Sequence, residues 1–325
     1  MQIARTCFVR VQPSSLSVGE APLRICLPPI PARFGGAGYT FSAEARLYNF
    51  GALSICLIID ESDAPPSQIS GEALRFAGQA GLDDYFTDAL AQVRAILSPV
   101  AGERDIDPGF NDEYTLYLID RADPRIDPVV VLLGEDGTFS PEIRDDILKN
   151  TLSYEKTDAV ILSFSGAILI SPDIPHDLIE LIGFAAVQVF ELRFYDRELS
   201  RQLEKMYEDI EAAENLSWFA RFRQYRALMR VLMQTQAEIS EVIEKVNNLI
   251  KTTDDAYYAR VYEMALKVMK SPEWTGSINR RIRVIRENYR MLSDEVNVQH
   301  SNFLTWVIII LIAVAVAIFL PGALA

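Results

Sequence analysis

An acidic segment over residues 105–113 holds the side chains best suited to binding a metal ion. It reads Asp-Ile-Asp-Pro-Gly-Phe-Asn-Asp-Glu and superficially resembles a calcium-binding loop. An EF-hand loop that began at Asp105 would need glycine at its sixth position and a bidentate glutamate at its twelfth. Those positions hold Phe110 and Leu116. A divalent-ion site and a solvated acidic loop both stay open, and the spacing favours the solvated loop, so we predict no resident metal.

Nucleophilic and acid–base chemistry has little support in the sequence. Residues 163–166 read Ser-Phe-Ser-Gly and lack the glycine that precedes the serine of a nucleophile elbow by two places. The two histidines, His176 and His300, have no neighbouring nucleophile in the sequence. We therefore predict no catalytic residue and no cofactor, and we expect that the chain is not an enzyme. An enzyme that acts on a small molecule bound in the N-terminal domain stays open as an alternative.

A basic and aromatic segment over residues 218–230 could contact RNA or an anionic lipid. Such a helix more often turns its aromatic side chains inward and its arginines outward, toward acidic neighbours. Both interpretations stay open. The candidate contacts are Arg221, Arg223, Arg226 and Arg230.

The cysteines are too few and too widely spaced for a redox or zinc motif. Cys7, Cys26 and Cys56 stand singly among apolar residues, without Cys-x-x-Cys spacing. We predict that they are small buried hydrophobic residues.

The composition excludes a chain that is disordered throughout. Of 325 residues, 50% are hydrophobic, and the net charge is −14. Residues 61–180 hold the imbalance, with 24 acidic and 8 basic side chains, whereas residues 181–325 carry 18 of each. Nucleic-acid binding needs Lys and Arg to neutralise phosphates. We expect none from the acidic part, and the helical half leaves it open.

Residues 303–320 form an uncharged apolar run of membrane-spanning length. A helix of eighteen residues rises about 27 Å, close to the thickness of the hydrocarbon layer of a bilayer. Thirteen of the eighteen side chains are Leu, Ile, Val or Phe. We predict a transmembrane anchor, and a buried core helix is the alternative. The residues that represent the anchor are Phe303, Trp306, Ile309, Ile312, Val316 and Leu320.

The charges beside the apolar run indicate its orientation. Five arginines precede it between residues 280 and 290, and positive flanks stay on the side where the protein is made. We expect a single-pass membrane protein with its N-terminal domain in the cytoplasm, at a bacterial inner membrane, or on the matrix side if it is mitochondrial.

The hydrophobic pattern divides the rest of the chain into two parts. Residues 1–172 are expected to form an acidic α/β domain, and residues 173–302 a helical coiled-coil or bundle domain, which together make an α+β protein. Residues 71–96 and 141–154 have helical spacing. Short runs typical of strands lie at residues 3–11, 23–27, 45–59, 114–119, 129–133 and 159–170.

A heptad pattern leads directly into the apolar run. Its spacing alternates between four and three residues, which is typical of a coiled-coil seam. The seam could pack inside a helical bundle of one chain or bind the same seam of another subunit, and both remain open. Its residues are Ile278, Ile282, Ile285, Tyr289, Leu292 and Val296.

Several short segments together suggest a family. They are residues 47–53, residues 147–161 with Ser153 and Glu155, and residues 271–274, 278–285 and 304–312. These segments resemble the required-for-meiotic-nuclear-division family, which carries domain of unknown function 155. The resemblance implies a membrane-anchored, self-associating protein without known catalysis, whose mitochondrial relatives support organellar translation.

These patterns together predict a tail-anchored membrane scaffold that self-associates and presents an acidic cytosolic domain to a protein partner. The partner itself is unknown. The alternative from another class is a membrane-linked factor that supports translation or binds RNA through the basic and aromatic helix.

Overall fold

The computed structural model of the chain describes residues 8–10, 22–34, 37–48, 51–60, 66–76, 81–101, 109–213 and 255–319, and single positions between residues 223 and 244. The protein is mixed α+β, with both sheets in its N-terminal part. It divides into two compact units. The first comprises residues 1–191 and 245–272, and the second comprises residues 192–244 and 273–325.

The first sheet of the N-terminal unit is an antiparallel meander of four strands in sequence order. The register of its second strand shifts between Leu27 and Ile30, where Pro28 and Pro29 interrupt the ladder because proline has no N–H to donate. The strands are β1 (Phe8–Arg10), β2 (Leu23–Phe34), β3 (Ala37–Leu47) and β4 (Leu53–Ile58).

One face of this sheet is apolar and packs against a helix. Helix α1 (Pro66–Arg75) precedes helix α2 (Asp83–Ala101), which buries Ala89 and Val93 against Ile25, Phe41 and Ala45 of β2 and β3. Successive residues of a strand point to opposite faces of the sheet. The residues between these apolar positions therefore lie on the other face.

The opposite face carries a network of charged side chains beneath helix α5 (His176–Ala213). Arg46 is only 7% exposed. Its guanidinium donates to the carboxylate of Glu44, with Nε 3.0 Å from Oε1, and to Glu180 of α5, with Nη1 2.7 Å from Oε2. Arg24 donates to the other carboxylate oxygen of Glu180 at 2.5 Å. Glu180 therefore joins α5 to two neighbouring strands.

The second sheet of the N-terminal unit mixes parallel and antiparallel pairs, in the order β5-β8-β7-β6. Strand β5 (Thr115–Ile119) runs parallel to β8 (Gly166–Ile170). A side chain at Gly166 would meet the Thr115 carbonyl oxygen at 2.8 Å, so glycine permits this close approach. The elements between them are α3 (Pro128–Leu133), α4 (Pro141–Leu148), β6 (Thr151–Leu152) and β7 (Ala159–Leu162).

Several local predictions from the sequence are wrong. Residues 129–133 form helix α3 rather than a strand, because the Asp127 carboxylate caps the Val129 amide and Gly134 ends the helix at φ 66°. The expected helix over residues 71–96 is two helices, and the expected strands over residues 45–59 and 159–170 are each interrupted by a turn.

The cysteine prediction is also wrong for Cys26, which is exposed. It lies on β2 between the buried residues Ile25 and Leu27 and therefore points to the opposite face. Cys56 is partly exposed, and Cys7 lies outside the described residues.

Helix α6 (Ala256–Val268) completes the N-terminal unit. Its Tyr262 is almost fully buried and donates its hydroxyl hydrogen to Oε1 of Gln188, on α5. This bond fixes the position of α6 relative to the first half of α5.

The second unit contains the later part of α5 and most of helix α7 (Ser271–Phe319). The Arg281 guanidinium of α7 pairs with the Asp196 carboxylate of α5, with Nε 2.8 Å from Oδ1. The Arg193 guanidinium lies 5.7 Å from the centre of the Trp274 ring. The buried residues of the two helices recur at intervals of seven: Leu192, Leu199 and Met206 on α5, and Ile278 and Ile285 on α7.

We predict that Arg46→Met destabilises the protein by about 3–5 kcal/mol, because it leaves the carboxylates of Glu44 and Glu180 without their principal partner in a largely buried place. Guanidinium unfolding of the full chain in detergent micelles, followed by circular dichroism, measures this. The control is Arg121→Met, since Arg121 and Asp120 are largely exposed and 3.8 Å apart, and it should leave the midpoint unchanged. Equal effects of the two substitutions would contradict the structural role of the network.

Candidate ligand-binding site

A cavity of about 250 Å³ lies in the N-terminal unit between the second sheet and the starts of α5 and α6. Its floor is the cross-strand pairs Val160–Leu169 and Ala159–Ile170 of β7 and β8. Leu178 of α5 adds a third apolar surface. The other lining residues are Tyr154, Asp158, Ser171, Pro175, Asp255, Tyr257 and Tyr258.

Tyr257 is the central aromatic residue of the cavity. The Asp255 carboxylate caps α6 by accepting a hydrogen bond from the Tyr257 amide at 2.7 Å, which fixes the first turn of the helix. The Tyr257 ring lies 5.3 Å from that of Tyr154 and 6.0 Å from that of Tyr258, measured between centroids. Its hydroxyl oxygen is buried and has no hydrogen-bond partner. A buried hydroxyl normally has one, and this atom has almost no solvent-accessible surface.

Asp158 is fixed by the loop between β6 and β7. Its Oδ1 accepts hydrogen bonds from the amides of Tyr154 at 2.9 Å and Glu155 at 2.8 Å. This turn holds the carboxylate at the cavity and brings the largely exposed Tyr154 ring to the cavity rim.

The electrostatic environment of the cavity is negative. Burial, and then the negative charge of Asp158 and Asp255, raises the pKa of Tyr257 to about 12. Burial and the carboxylates of Asp177 and Asp255 also raise the pKa of Tyr258. Both hydroxyls are therefore neutral near pH 7. Among the described residues that line the cavity, none is Lys, Arg or His.

Two helix N-termini border the same cavity and oppose this negative charge. Each helix end acts as about half a positive charge. The carboxylates of Asp158 and Asp255 each carry a full negative charge, and Asp177 lies in the first turn of α5. The carboxylates therefore dominate, and the site favours a cation over an anion.

The size and the walls of the cavity restrict the ligand further. A volume of about 250 Å³ is below the usual range for drug-sized ligands, so it suits a single side chain or a small amine. Aromatic faces attract cations through their quadrupole, and carboxylates supply the counter-charge. The arrangement can bind a positively charged group that has an apolar stem.

The sequence predictions named none of these residues as a site. Asp158 and Tyr257 are separated by nearly 100 residues, and only the packing of α6 on β7 brings them together. The one local signal was Asp-Asp-Ala-Tyr-Tyr at residues 254–258, where an N-cap precedes two tyrosines.

The predicted seam lies partly inside the second unit. Ile278 and Ile285 are buried within the single chain, and Ile282 is partly buried. The first half of the seam therefore packs within one chain. Self-association through the rest stays a prediction, because the structure does not describe the side chains of Tyr289, Leu292 and Val296.

The arginines predicted to contact RNA or lipid, and the acidic loop that begins at Asp105, are only partly described by the structure. Arg223 and Arg230 are exposed on helical backbone, whereas Arg221 and Arg226 fall outside the described ranges, as do Asp105 and its neighbours up to residue 108. Over the residues that the structure describes, no three His, Cys, Asp or Glu side chains come together as metal ligands.

The apolar run continues helix α7 as far as Phe319. Trp306 is 65% exposed, and the five residues from Ile308 to Ile312 are each about half exposed or more. Within the described part of the chain, no helix has both the length and the hydropathy that a membrane span requires. The side chains of Phe303, Val316 and Leu320 are not described.

Residues 1–176, a stretch that ends where α5 begins, match the family described as the N-terminal domain of uncharacterized protein MJ0711. The chain belongs to this family. The MJ0711 N-terminal domain thus covers both sheets and the floor of the cavity. The tyrosines of α6 come from the part of the chain beyond it.

A curated relative is uncharacterized protein MJ0711 of Methanocaldococcus jannaschii, an archaeon. The two are 22% identical over 220 residues, which cover 65% of this chain and 66% of the relative. The chain thus spans slightly less than two thirds of that protein. No solved structure matches the chain.

These matches show that the resemblance to the required-for-meiotic-nuclear-division family is wrong. The segments that suggested it are short. The structure also differs from the compared motifs. Residues 47–53, compared with a strand, include the turn between β3 and β4, with Gly51 at φ 96°. Residues 147–161, compared with a helix, contain β6 and a loop.

We predict that Tyr257→Phe leaves the unfolding free energy unchanged or raises it by up to about 1 kcal/mol, because it removes a buried hydroxyl that has no partner. Tyr262→Phe is the matched comparison. It breaks the bond to Gln188 in a buried place and should destabilise the protein by about 1–3 kcal/mol. Chemical denaturation of the full chain measures the unfolding free energy of both variants. A loss in Tyr257→Phe as large as that in Tyr262→Phe would show that the Tyr257 hydroxyl has a structural partner.

Proposed function

We propose that this protein is a membrane-tethered binding protein whose acidic N-terminal unit holds a positively charged group of its partner in the tyrosine–aspartate cavity. The observation that carries the proposal is a cavity lined by the carboxylates of Asp158 and Asp255 and by tyrosine rings, with no Lys, Arg or His among the described lining residues. Aromatic faces and carboxylates both attract cations.

The charge of the surrounding chain supports a cationic partner. Residues 61–180 carry a net charge of −16, and they include Asp158, which lines the cavity. A negative potential of this kind raises the local concentration of cations and speeds their association.

The end of α7 supports attachment to a membrane. Trp306 and the run from Ile308 to Ile312 expose large apolar side chains at consecutive positions and therefore on every side of the helix. A helix that is apolar all round is normally enclosed by lipid or protein, and tryptophan favours the membrane interface. Scaffolding of a partner at the membrane would follow, with no catalytic step.

We predict that small organic cations bind the full chain in detergent micelles and that acetate and phosphate do not. Calorimetric titration with an alkylammonium ion measures the binding of organic cations. Asp158→Asn should weaken the binding about tenfold, because it removes one negative charge and keeps the Oδ1 that accepts the two loop amides.

Asp136→Asn is the control for this substitution, because Asp136 is an exposed carboxylate of the same unit away from the cavity. It should bind cations as the wild type does. Equal weakening by both variants would show that only the overall charge matters, and preferential binding of the anions would contradict the proposed site.

We predict that the full chain floats with liposomes in a density gradient and that the double variant Ile309→Lys, Ile312→Lys does not. Each lysine near the middle of a membrane helix costs about 2.5–3.5 kcal/mol.

Met291→Lys serves as the comparison, since Met291 is also exposed on α7 but precedes the apolar run. It should float with the liposomes. If the double variant floats equally well, or the wild type stays at the bottom of the gradient, α7 does not attach the protein to the membrane.

A further inference from the structure

We propose that the outer edge of strand β5 binds a second copy of this chain, with the two β5 strands antiparallel and Tyr117 of one copy opposite Tyr117 of the other. The second sheets of the two copies then join into one continuous sheet. The inference goes beyond the proposed function, because it concerns association between copies and does not use the cavity.

Strand β5 lies at an edge of the second sheet, with β8 on one side and, among the described residues, no strand on the other. The Thr115 amide donates to the Ser165 carbonyl oxygen at 3.0 Å, on the side of β8. Because the backbone groups of successive strand residues alternate in direction, those of Leu116 and Leu118 point away from β8. The described residues provide no hydrogen-bond partner for them. Such unpaired groups can pair with the strand of another chain.

Strand β5 lacks the features that usually protect a sheet edge. Natural edge strands carry charged residues, prolines or bulges that disfavour pairing with another chain. The sequence of β5 is Thr-Leu-Tyr-Leu-Ile, without a charge or a proline, and its register with β8 is unbroken. The Leu118 side chain is 47% exposed. A second strand both covers this apolar side chain and satisfies the outward backbone groups.

Pairing β5 with itself about Tyr117 matches the direction of its backbone groups. Leu116 of each copy then lies opposite Leu118 of the other, so the outward N–H and C=O groups of both residues form the hydrogen-bonded pairs. The two Tyr117 residues form a non-hydrogen-bonded pair, since their own backbone groups point toward β8. A two-fold axis through this pair relates the copies, which is the commonest symmetry of homodimers.

The same register places opposite charges against each other at both ends of the paired strands. Glu113 lies four residues before Tyr117 and Arg121 four residues after it, so Glu113 of each copy faces Arg121 of the other. Partial burial, and then the carboxylates of Asp83 and Asp112, raise the pKa of Glu113 within one chain. Arg121 is largely exposed. An exposed ion pair of this kind stabilises little and mainly selects the register.

The test is disulfide cross-linking of the full chain in detergent micelles, in a background of Cys7→Ala, Cys26→Ala and Cys56→Ala. Opposed residues of a non-hydrogen-bonded antiparallel pair have Cα atoms about 4.5 Å apart, which suits a disulfide. We expect a mixture of Glu113→Cys and Arg121→Cys chains to form cross-linked dimers under mild oxidation. Either variant alone should not, because its two cysteines lie eight residues apart along the paired strands, roughly 27 Å.

A charge on the edge of β5 should abolish the cross-link. Leu118→Lys in both chains of the mixture should reduce the cross-linked fraction about tenfold or more. Ile143→Lys is the matched control, because Ile143 is 43% exposed on α4, which packs against β7, and it should cross-link as the parent mixture does. Circular dichroism checks that each variant is folded. Absence of the cross-link in the parent mixture, or an undiminished cross-link in Leu118→Lys, would overturn the inference.

Amide hydrogen exchange of the unaltered chain tests the same pairing without a substitution. The Leu116 and Leu118 amides should exchange about tenfold more slowly in concentrated than in dilute protein, because the second copy accepts their hydrogen bonds. The Thr115 and Tyr117 amides, on the side of β8, should exchange at the same rate in both. Exchange at Leu116 and Leu118 that does not change with concentration would overturn the inference, and if it is slow, another segment of the same chain covers the edge.

Discussion

The ion pairs of Glu180 join the start of helix α5 to the first sheet of the N-terminal unit, and the same part of α5 supplies Leu178 to the candidate site. One carboxylate receives both Arg24 and Arg46 from neighbouring strands of the first sheet. Glu180 is four residues after the start of α5, so the pairing also fixes Leu178, at the cavity, and orients the helix toward Gln188, which holds α6. An ion pair in a largely buried place stabilises little relative to a hydrophobic replacement, but it is intolerant of misalignment. Its main effect here is therefore on position, because it holds the start of α5, beside the cavity, against the first sheet.

Helix α6, which borders the cavity, leaves one polar atom unsatisfied. It contains two tyrosines with different environments. Tyr262 is buried with its hydroxyl bonded to Gln188, and Tyr257 is partly buried with its hydroxyl unbonded. The first stabilises the fold, and the second reduces its stability slightly.

Much of the N-terminal architecture could be predicted from the sequence, and the errors have physical causes. The mixed α+β class followed from short apolar runs separated by turn residues, and the helical pattern after residue 175 located α5. Residues 129–133 looked like a strand because Val-Val-Val-Leu-Leu favours one, but Asp127 and Pro128 start a helix and Gly134 ends it. The cavity could not be predicted, because Asp158 and Tyr257 meet only through tertiary packing and neither belongs to a periodic motif. Short segments also suggested a family that the match over residues 1–176 excludes.

The negative charge of this protein attracts cations at long range and also contacts them at hydrogen-bond distance. Only the short-range contacts can select among ligands. The charge of −16 over residues 61–180 attracts any cation, but exposed charges are screened beyond about 8 Å at physiological ionic strength. Long-range attraction therefore affects how often cations arrive and does not distinguish among them. Discrimination requires contacts at hydrogen-bond distance in a partly dehydrated place, for which the proposed site has the fixed carboxylates of Asp158 and Asp255. Because the loop amides and the helix cap already hold these carboxylates, little rearrangement is needed when a ligand binds, so more of the interaction energy is available for selectivity.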